Sequence, residues 1–421
     1  MVSIDGLRPE FYLEPQWPAP TLQRLAREGS YARQVRPAFP SVTYPNHTSM
    51  VTGAWPARHG IHYNSPFNPQ GDSGEWYWHA EAIRAPTLWQ RLGDRAVTAA
   101  VGWPVSVGAA IDYNLPEVWT PGRFDDFTAP LRQAANPPGL LELIEREATG
   151  RWTDERIAND HPRRDLLTAN AVAWLMTEKQ PALTLWHLIA LDHAQHQQGR
   201  DGNEVREALA AVDTAVGLVL DHLRKAGMLE NSAIIVTGDH GFLNIHTRLA
   251  PNALLRQAGL LDSHQQRRDW RAAFLTTGAS AFLHLRQADD EATLAAVQAL
   301  LAELPAPQRD LFQILSRDEL RALGSAPDAD LALTPKAGIH FTSDSDAPWR
   351  QPVSGGQHGN LPDNQALHTG LVVWGRGVHS GVVAEQLNIT DIAPLAAALL
   401  GHDFEAPDGV LPAGLVDRAA D

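Results

Sequence analysis

The chain has 421 residues, of which 44% are hydrophobic and 20% are charged, as in an ordinary globular protein. Its net charge of −15 disfavours non-specific binding to nucleic acid or to an anionic membrane, so we expect no nucleic-acid partner. Because cysteine is absent, disulfides and thiolate metal sites are excluded, and any metal ion must be held by nitrogen and oxygen.

The first predicted element is a strand over residues 2–4. A chain that begins inside a core strand has no signal peptide, so we expect a cytoplasmic protein, or an exported one if the true start lies upstream. No apolar stretch reaches about 18 residues, and no membrane span is predicted. Asp5 follows the strand directly, and open α/β sheets bind ligands at the carboxyl ends of their strands.

Further strands and helices are predicted to alternate along the chain, which indicates an α/β fold with a mainly parallel sheet. The predicted strands are 97–101, 183–190, 233–237, 280–285 and 369–374. The predicted helices are 20–28, 45–52, 161–178, 203–226, 290–303 and 389–400. Three segments interrupt the alternation: 62–80, 105–160 and 244–355. We interpret them as insertions that cover one face of a single domain, 1–421, and that decide ligand specificity.

A hydroxyl precedes the predicted helix 45–52, which Pro45 opens and Gly53 follows. Thr43 would meet free backbone N–H groups and the positive end of the helix dipole there. Those amides can also hold a phosphoryl oxygen. The alternative is that Thr43, or Ser41, only caps the helix. As a nucleophile, a threonine needs a base or a metal ion.

Carboxylate and imidazole groups follow two more of the predicted strands. Asp192 and His196 come after strand 183–190, and one helical turn would place them on the same face. Alternatively, Asp192 is only a helix N-cap. Asp239 and His240 follow strand 233–237, where a loop hydrogen bond is the simpler interpretation of the pair alone.

A further histidine lies far along the chain, in a loop rich in glycine. His358 stands between Gln357 and Gly359, and the missing side chain of glycine allows close approach to a metal ion. Taken alone, a surface histidine is the simpler interpretation. The coincidence of all these positions gives three Asp and three His, a nitrogen and oxygen ligand set for two metal ions, with zinc preferred.

Several segments, in this order, resemble the nucleotide pyrophosphatase/phosphodiesterase branch of the alkaline phosphatase superfamily. They are Ser3–Arg8, Phe39–His47 with Val51–Gly53 and Pro56–Ile61, Gly102–Pro104, Asp192–Gly199, Thr237–Gly241, Gln357–Gly359 and Leu387–Pro394. The resemblance runs nearly from end to end. It implies an alkaline phosphatase-like three-layer α/β/α sandwich around a mainly parallel sheet, with the insertions forming a cap over the site.

The resemblance also implies the roles of individual residues. One zinc ion would be held by Asp5, Asp239 and His240 with Thr43, and the other by Asp192, His196 and His358. Other divalent ions remain open. Asn64 would contact a phosphoryl oxygen. For the mechanism, we expect the backbone N–H of Tyr44 to hold a non-bridging oxygen as well. Thr43 would form a covalent phosphothreonine intermediate between two cations about 4 Å apart.

The predicted function is a phosphodiesterase or nucleotide pyrophosphatase that acts on a small-molecule phosphate ester or nucleotide. No Arg or Lys motif accompanies Thr43, and a neutral asparagine suits the lower charge of a diester. Trp76-Tyr77-Trp78 would pack against a nucleobase, or simply within the core. A phosphomonoesterase or phosphonoacetate-type hydrolase remains an alternative, as does a non-catalytic zinc-binding protein.

Overall fold

The computed structural model of the protein describes residues 1–158 and 160–416. Residue 159, in the predicted insertion 105–160, and residues 417–421, at the end of the predicted domain, lie outside the described residues. The strands are β1 (Val2–Ile4), β2 (Ser30–Arg36), β3 (Thr98–Val101), β4 (Tyr113–Leu115), β5 (Leu183–Leu188), β6 (Ala233–Thr237), β7 (Leu243–Leu249), β8 (Ala272–Thr277), β9 (Ser280–Leu285), β10 (Phe312–Ser316), β11 (Leu331–Pro335), β12 (Gly338–Phe341), β13 (Arg350–Gln357), β14 (Thr369–Gly375), β15 (Val383–Ala384) and β16 (Leu387–Asn388).

Helices separate many of these strands. They are α1 (Glu10–Leu13), α2 (Pro20–Glu28), α3 (Thr43–Thr52), α4 (Pro56–His59), α5 (Leu88–Leu92), α6 (Thr128–Ala134), α7 (Leu140–Ile144), α8 (Asp154–Ile157), α9 (His161–Glu178), α10 (Ala190–Gln198), α11 (Asn203–Lys225), α12 (Pro251–Gln257), α13 (Glu291–Ala302), α14 (Ala306–Arg309), α15 (Arg317–Ala322) and α16 (Ile392–Leu399). Within the described residues, none of them is long and apolar enough to cross a lipid bilayer.

The central sheet has nine strands in the order β15-β2-β14-β6-β1-β5-β3-β4, with β16 beside β2. β14 is antiparallel to both of its neighbours, β2 and β6. The other pairings in this sheet are parallel, which confirms the predicted mainly parallel sheet. Strands β1, β5 and β6 therefore end at the same edge.

Helices cover both faces of the central sheet. Its strands carry apolar side chains on both faces, and each face must therefore be packed against other elements. In β5, Trp186 and Leu188 join the core formed with α2, α9 and α11. Leu183 and Leu185 instead join the core formed with α3, α5 and α16. The result is three layers, with the sheet in the middle.

Several predicted boundaries differ from the structure. The helix predicted from 45 begins at Thr43, and Pro45 is tolerated there because first-turn N–H groups lack intrahelical partners. The strand predicted to 190 ends at Leu188, since α10 already begins at Ala190. The helix predicted from 389 opens with a 3₁₀ turn, Ile389–Asp391, before α16.

The predicted strand 280–285 exists as β9, but it does not belong to the central sheet. It lies in a four-stranded antiparallel sheet of order β10-β11-β9-β8. A three-stranded sheet has the order β12-β7-β13. Its strands come directly before and after those of the four-stranded sheet in the sequence. The segment 244–355 thus carries most of two additional sheets, and β13 ends at Gln357, immediately before His358.

Candidate active site

The candidate site is built at the carboxyl edge of the central sheet, where parallel strands deliver their following loops together. Asp5 follows β1, and its amide donates to the Leu188 carbonyl at the end of β5. Asp239 and His240 follow β6 on the other side of β1. The order β6-β1-β5 therefore brings together segments that are more than two hundred residues apart in the sequence.

Asp5, Asp239 and His240 form the first group, called here the buried cluster. Their ligand atoms all lie within 4.8 Å of one another. His240 Nε2 is 3.3 Å from Asp5 Oδ1 and 3.2 Å from Asp239 Oδ2. The exposed fractions of the three side chains are between 0% and 7%.

Asp192, His196 and His358 form the second group, called here the open cluster, which meets the same 4.8 Å limit. Asp192 and His196 lie one turn apart on α10, with 3.5 Å between Oδ2 and Nε2. The N-cap of α10 is Ile189, so Asp192 does not cap this helix. His358 Nε2 is 3.6 Å from Asp192 Oδ1, and the side chains of Asp192 and His196 are 19% and 34% exposed.

The two clusters adjoin, and their histidines are oriented alike. The rings of His240 and His358 stack at 3.5 Å between centroids. Each Nδ1 faces a backbone carbonyl: His196 that of Gly356, His240 that of Gly241 and His358 that of Ser41. A carbonyl can only accept a hydrogen bond, so Nδ1 carries the proton and Nε2 presents its lone pair to the cluster.

Several ligand-type atoms are buried and have no hydrogen-bond partner among the described residues. They are Asp5 Oδ1, Asp192 Oδ1, Asp239 Oδ2 and His240 Nε2. Buried polar atoms are nearly always paired in folded proteins, so a group of unpaired electron-pair donors indicates a binding site for a cation. All four are electron-pair donors of the type that binds zinc and similar divalent cations. The side chains therefore fit a metal ion at each cluster.

The electrostatics support the same conclusion. Burial raises the pKa of Asp5 well above its ordinary value, and repulsion by Asp192 and Asp239 adds to the shift. Burial also raises the pKa of Asp239 to about 7. It lowers the pKa of His240 well below its usual range, and that of His358 to about 4. A bound cation would offset the free energy that is lost when these carboxylates are buried in their charged form.

Thr43 is the first residue of α3 and is 8% exposed. The N-cap is Val42, and within the described chain no side chain caps this helix. Two contacts fix the start of α3 against the clusters: the Ser41 carbonyl meets His358 Nδ1 at 2.9 Å, and His47 Nδ1 lies 3.8 Å from Asp239 Oδ2. The helix that carries Thr43 is thus held between the two clusters.

Asn64 lines a cleft of about 240 Å³ next to the open cluster. The other lining residues are Ser65, Trp76, His196, Leu275, Thr276, Thr277, Gly278, Gln357 and His358. The Asn64 side-chain oxygen accepts a 3.0 Å hydrogen bond from the Tyr44 backbone N–H. The Tyr44 amide is therefore already engaged, while the side-chain NH₂ of Asn64 is not used in that contact.

The aromatic segment 76–78 divides between the cleft and the core. Trp76 lines the cleft and meets Tyr44 edge-on at 5.1 Å. Trp78 is buried and belongs to the core beneath. The two interpretations of this segment thus apply to different residues, and Trp76 is the one that a ligand can reach.

Three buried residues near the site were not assigned a role from the sequence: His47, Glu117 and His187. His187 Nε2 is 3.2 Å from Asp5 Oδ2, and burial lowers the pKa of His187 well below its usual value. Burial raises the pKa of Glu117 to about 7. His187 lies inside an apolar strand run, and Glu117 has no motif around it. His47 lies in the segment Phe39–His47, which resembles the family, so the sequence did place this residue near the site without giving it a role.

Comparisons with known proteins identify the family to which the chain is similar. The family of type I phosphodiesterases / nucleotide pyrophosphatases matches residues 1–361. Ectonucleotide pyrophosphatase/phosphodiesterase family member 1 of Mus musculus is 25% identical over 247 residues, 57% of this chain and 23% of that protein. Bis(5'-adenosyl)-triphosphatase of Bos taurus is 26% identical over 276 residues, 62% of this chain and 50% of that protein. The matched region therefore spans about a quarter to a half of these relatives.

Solved structures show the same fold at low sequence identity. Human ectonucleotide pyrophosphatase/phosphodiesterase 5 aligns with a TM-score of 0.68 at 17% identity, over 97% of this chain and 96% of that one. The murine counterpart, in an inactive form with a threonine replaced by alanine and in complex with AMP, aligns with a TM-score of 0.66 at 17% identity, over 96% of this chain and 94% of that one.

Proposed function

The chain belongs to the type I phosphodiesterase / nucleotide pyrophosphatase family of the alkaline phosphatase superfamily, and we propose that it is a metal-dependent phosphodiesterase or nucleotide pyrophosphatase. Its α/β fold is alkaline phosphatase-like. The observation that carries the proposal is the convergence of six ligand-type side chains into two adjoining clusters beside the first turn of α3.

We propose that the buried cluster and the open cluster each hold one divalent cation, with zinc preferred. The donors are carboxylate oxygens and imidazole Nε2 atoms, which suit zinc in nitrogen and oxygen coordination. When bound, two such ions stabilise negative charge on the attacking and the leaving oxygens of an in-line displacement. The backbone carbonyls behind each histidine hold its Nε2 toward the ion.

Thr43 is the proposed nucleophile. Its hydroxyl oxygen forms a bond to phosphorus while the bond from phosphorus to the leaving oxygen breaks, which gives a phosphothreonine ester. The hydroxyl proton passes to solvent, and the leaving alcohol or nucleotide oxygen regains one. A water molecule then attacks phosphorus, the bond to Thr43 breaks, and the threonine oxygen takes back a proton. The net reaction is hydrolysis of one phosphoester bond in a diester, or of one phosphoanhydride bond in a pyrophosphate.

Asn64 is proposed to bind a non-bridging phosphoryl oxygen through its side-chain NH₂. The Tyr44 backbone N–H, at 3.0 Å from the Asn64 oxygen, fixes the amide in that orientation. The first proposed role of the Tyr44 N–H is therefore to position Asn64. It would bind a phosphoryl oxygen as well only as a bifurcated donor, shared between that oxygen and the Asn64 oxygen. A donor placed before the reaction stabilises developing charge without reorganisation.

A diester or pyrophosphate fits the cleft better than a monoester. Among the described residues that line it, none is Lys or Arg, so no fixed cation meets the additional charge of a monoester. Trp76 offers an aromatic face for a nucleobase or another apolar group. The AMP in the murine structure and the name of the bovine relative support a nucleotide substrate.

The test is hydrolysis of a nitrophenyl diester and a nitrophenyl monoester, with and without a chelator, by wild-type protein and the Thr43→Ala variant. We expect chelator-sensitive hydrolysis that favours the diester, and loss of turnover in T43A with unchanged zinc content. Thr52→Ala, a buried threonine on the same helix whose hydroxyl donates to the Thr48 carbonyl, is the matched control. Undiminished activity in T43A, or chelator-insensitive hydrolysis, would contradict the proposal, and a faster monoester would favour a phosphomonoesterase.

A further inference from the structure

Two buried ionisable side chains behind the site take no part in the proposed reaction. His187, inside β5, is 3% exposed, and Glu117, two residues after β4, is 8% exposed. Burying a carboxylate and an imidazole costs free energy unless both are hydrogen-bonded or paired. Their position next to a proposed metal ligand suggests what offsets this cost.

His187 occupies the back of the Asp5 carboxylate. The register of β1 with β5 places Ser3 opposite His187, and Asp5, two residues further, extends from the same face of the sheet. His187 Nε2 meets Asp5 Oδ2 at 3.2 Å. The other oxygen, Oδ1, faces His240 Nε2 at 3.3 Å. His187 thus leaves one defined oxygen of Asp5 free to bind the cation.

The other ring nitrogen of His187 is held from behind. Nδ1 lies 3.3 Å from the carbonyl of Gly102, which follows β3, and 3.9 Å from Glu117 Oε2. A neutral imidazole carries a single proton, which on Nε2 donates to Asp5 Oδ2, so the Gly102 carbonyl and Glu117 fix the position of the ring from its Nδ1 side without accepting a proton from it. The orientation of the Asp5 carboxylate is therefore set by loops that follow β3 and β4.

Glu117 also lies against the segment that carries the nucleophile. Its carboxylate is next to the Tyr44 hydroxyl, and Tyr44 directly follows Thr43. The ring of His187 contacts that of His47 at 4.3 Å between centroids, and His47 Nδ1 bonds to the Thr43 carbonyl at 2.8 Å. The same buried pair thus touches both the ligand Asp5 and the first turn of α3.

We infer that His187 and Glu117 are positioning residues that orient Asp5 for cation binding in the buried cluster. The inference rests on the proposed two-cation site and extends it behind the ligands. Partners that orient a metal ligand in this way typically change metal affinity by about 10–100-fold when removed. The effect should fall on the ion of the buried cluster and spare that of the open cluster, which His187 does not contact.

The experiment measures the two zinc dissociation constants of the full chain by competition with a chromophoric chelator at fixed pH. The variants are His187→Leu, His187→Gln and Glu117→Gln. His59→Gln is the matched control, because His59 is also fully buried but bonds to Ser49 rather than to a cluster. Thermal unfolding of each variant in excess chelator checks the fold without metal.

We expect H187L to weaken one of the two zinc ions by about 10–100-fold and to leave the other unchanged. H187Q, whose amide can donate to Asp5 as Nε2 does, should recover most of that affinity. E117Q should show a smaller loss at the same ion, and H59Q none. If H187L fails to fold, H187Q and E117Q still test the inference, since E117Q must then weaken one ion more than the other.

Equal weakening of both ions, unchanged affinity in H187L, or an H187Q as weak as H187L would each overturn the inference and leave a packing role. Wild-type protein that binds two zinc ions keeps the proposed function intact in all these cases. Wild-type protein that binds zinc at neither cluster would overturn the proposed function, and this inference with it.

Discussion

The buried cluster and the open cluster share the same kinds of donor but differ in charge and in access to solvent. The buried cluster has two carboxylates and one imidazole at the ends of β1 and β6, and its side chains are at most 7% exposed. The open cluster has one carboxylate and two imidazoles, carried by α10 and by the loop after β13, with exposure up to 34%. The comparison indicates that one ion would be held tightly, while the other would exchange and admit water.

The largest expected effect comes from removing one carboxylate from each cluster. Asp239→Asn and Asp192→Asn should each lower kcat/KM on the order of a thousandfold, because several kcal/mol of charge stabilisation are lost. Each variant should retain one zinc ion per chain by elemental analysis. Excess zinc should restore activity in D192N, whose site is open, and should fail to restore it in D239N.

Asp213→Asn is the control for these two substitutions, because Asp213 is also buried but accepts hydrogen bonds from the first turn of α2. It should lower stability and leave the zinc content at two. Equal recovery of D192N and D239N in excess zinc would remove the proposed difference between the clusters.

A smaller effect concerns stability as a function of pH in the metal-free protein. The pKa of Asp239 is about 7 in the folded chain and 3.8 ordinarily. A raised folded-state pKa contributes stability that is fully present below about pH 4 and is lost as the pH rises through about 7. Relative to D239N, the metal-free wild type should therefore lose on the order of a few kcal/mol of unfolding free energy across that window.

Chemical unfolding of both proteins in excess chelator, at several pH values, measures this difference. With zinc bound the order should reverse, and wild type should be the more stable protein at pH 7. If the difference in unfolding free energy between metal-free wild type and D239N does not change with pH, burial does not destabilise the charged Asp239 carboxylate. The proposed difference between the two clusters would then lose its electrostatic basis.

The smallest effect tests the wall of the cleft rather than the clusters. Trp76→Ala should raise the KM for a diester with an aromatic group a few-fold to roughly tenfold, since aromatic pairing contributes about 0.5–1.5 kcal/mol. A methyl phosphodiester should be almost unaffected. Competition between the two substrates in one assay measures the change, and an equal loss for both would place Trp76 in the packing of the cleft only.

The ligands of both clusters could be proposed from the sequence because each stands directly after a predicted strand or in a short glycine-rich loop. Helix α9 has the bounds predicted for it, since its N-terminal Pro162 and the length of its amphipathic pattern are local signals. The mainly parallel sheet followed from the alternation of strands and helices. These features depend on neighbours in the chain.

What the sequence did not provide depends on neighbours in space. His187 looks like part of a buried strand run, and its contact with Asp5 follows from the register of β5 with β1. Glu117 reaches the site only because β4 lies beside β3. Strand β2 was missed since its seven residues include two arginines and a glutamine, and β9 was assigned correctly as a strand while its sheet was not foreseen.

The central claim is that two cations lie side by side next to Thr43, and anomalous diffraction tests it most directly. Crystals grown with zinc and soaked with orthovanadate would be measured on both sides of the zinc absorption edge. The account predicts two anomalous peaks, one among Asp5, Asp239 and His240 and one among Asp192, His196 and His358, with the vanadate next to the Thr43 hydroxyl. A single peak, or a vanadate bound away from Thr43, would contradict it.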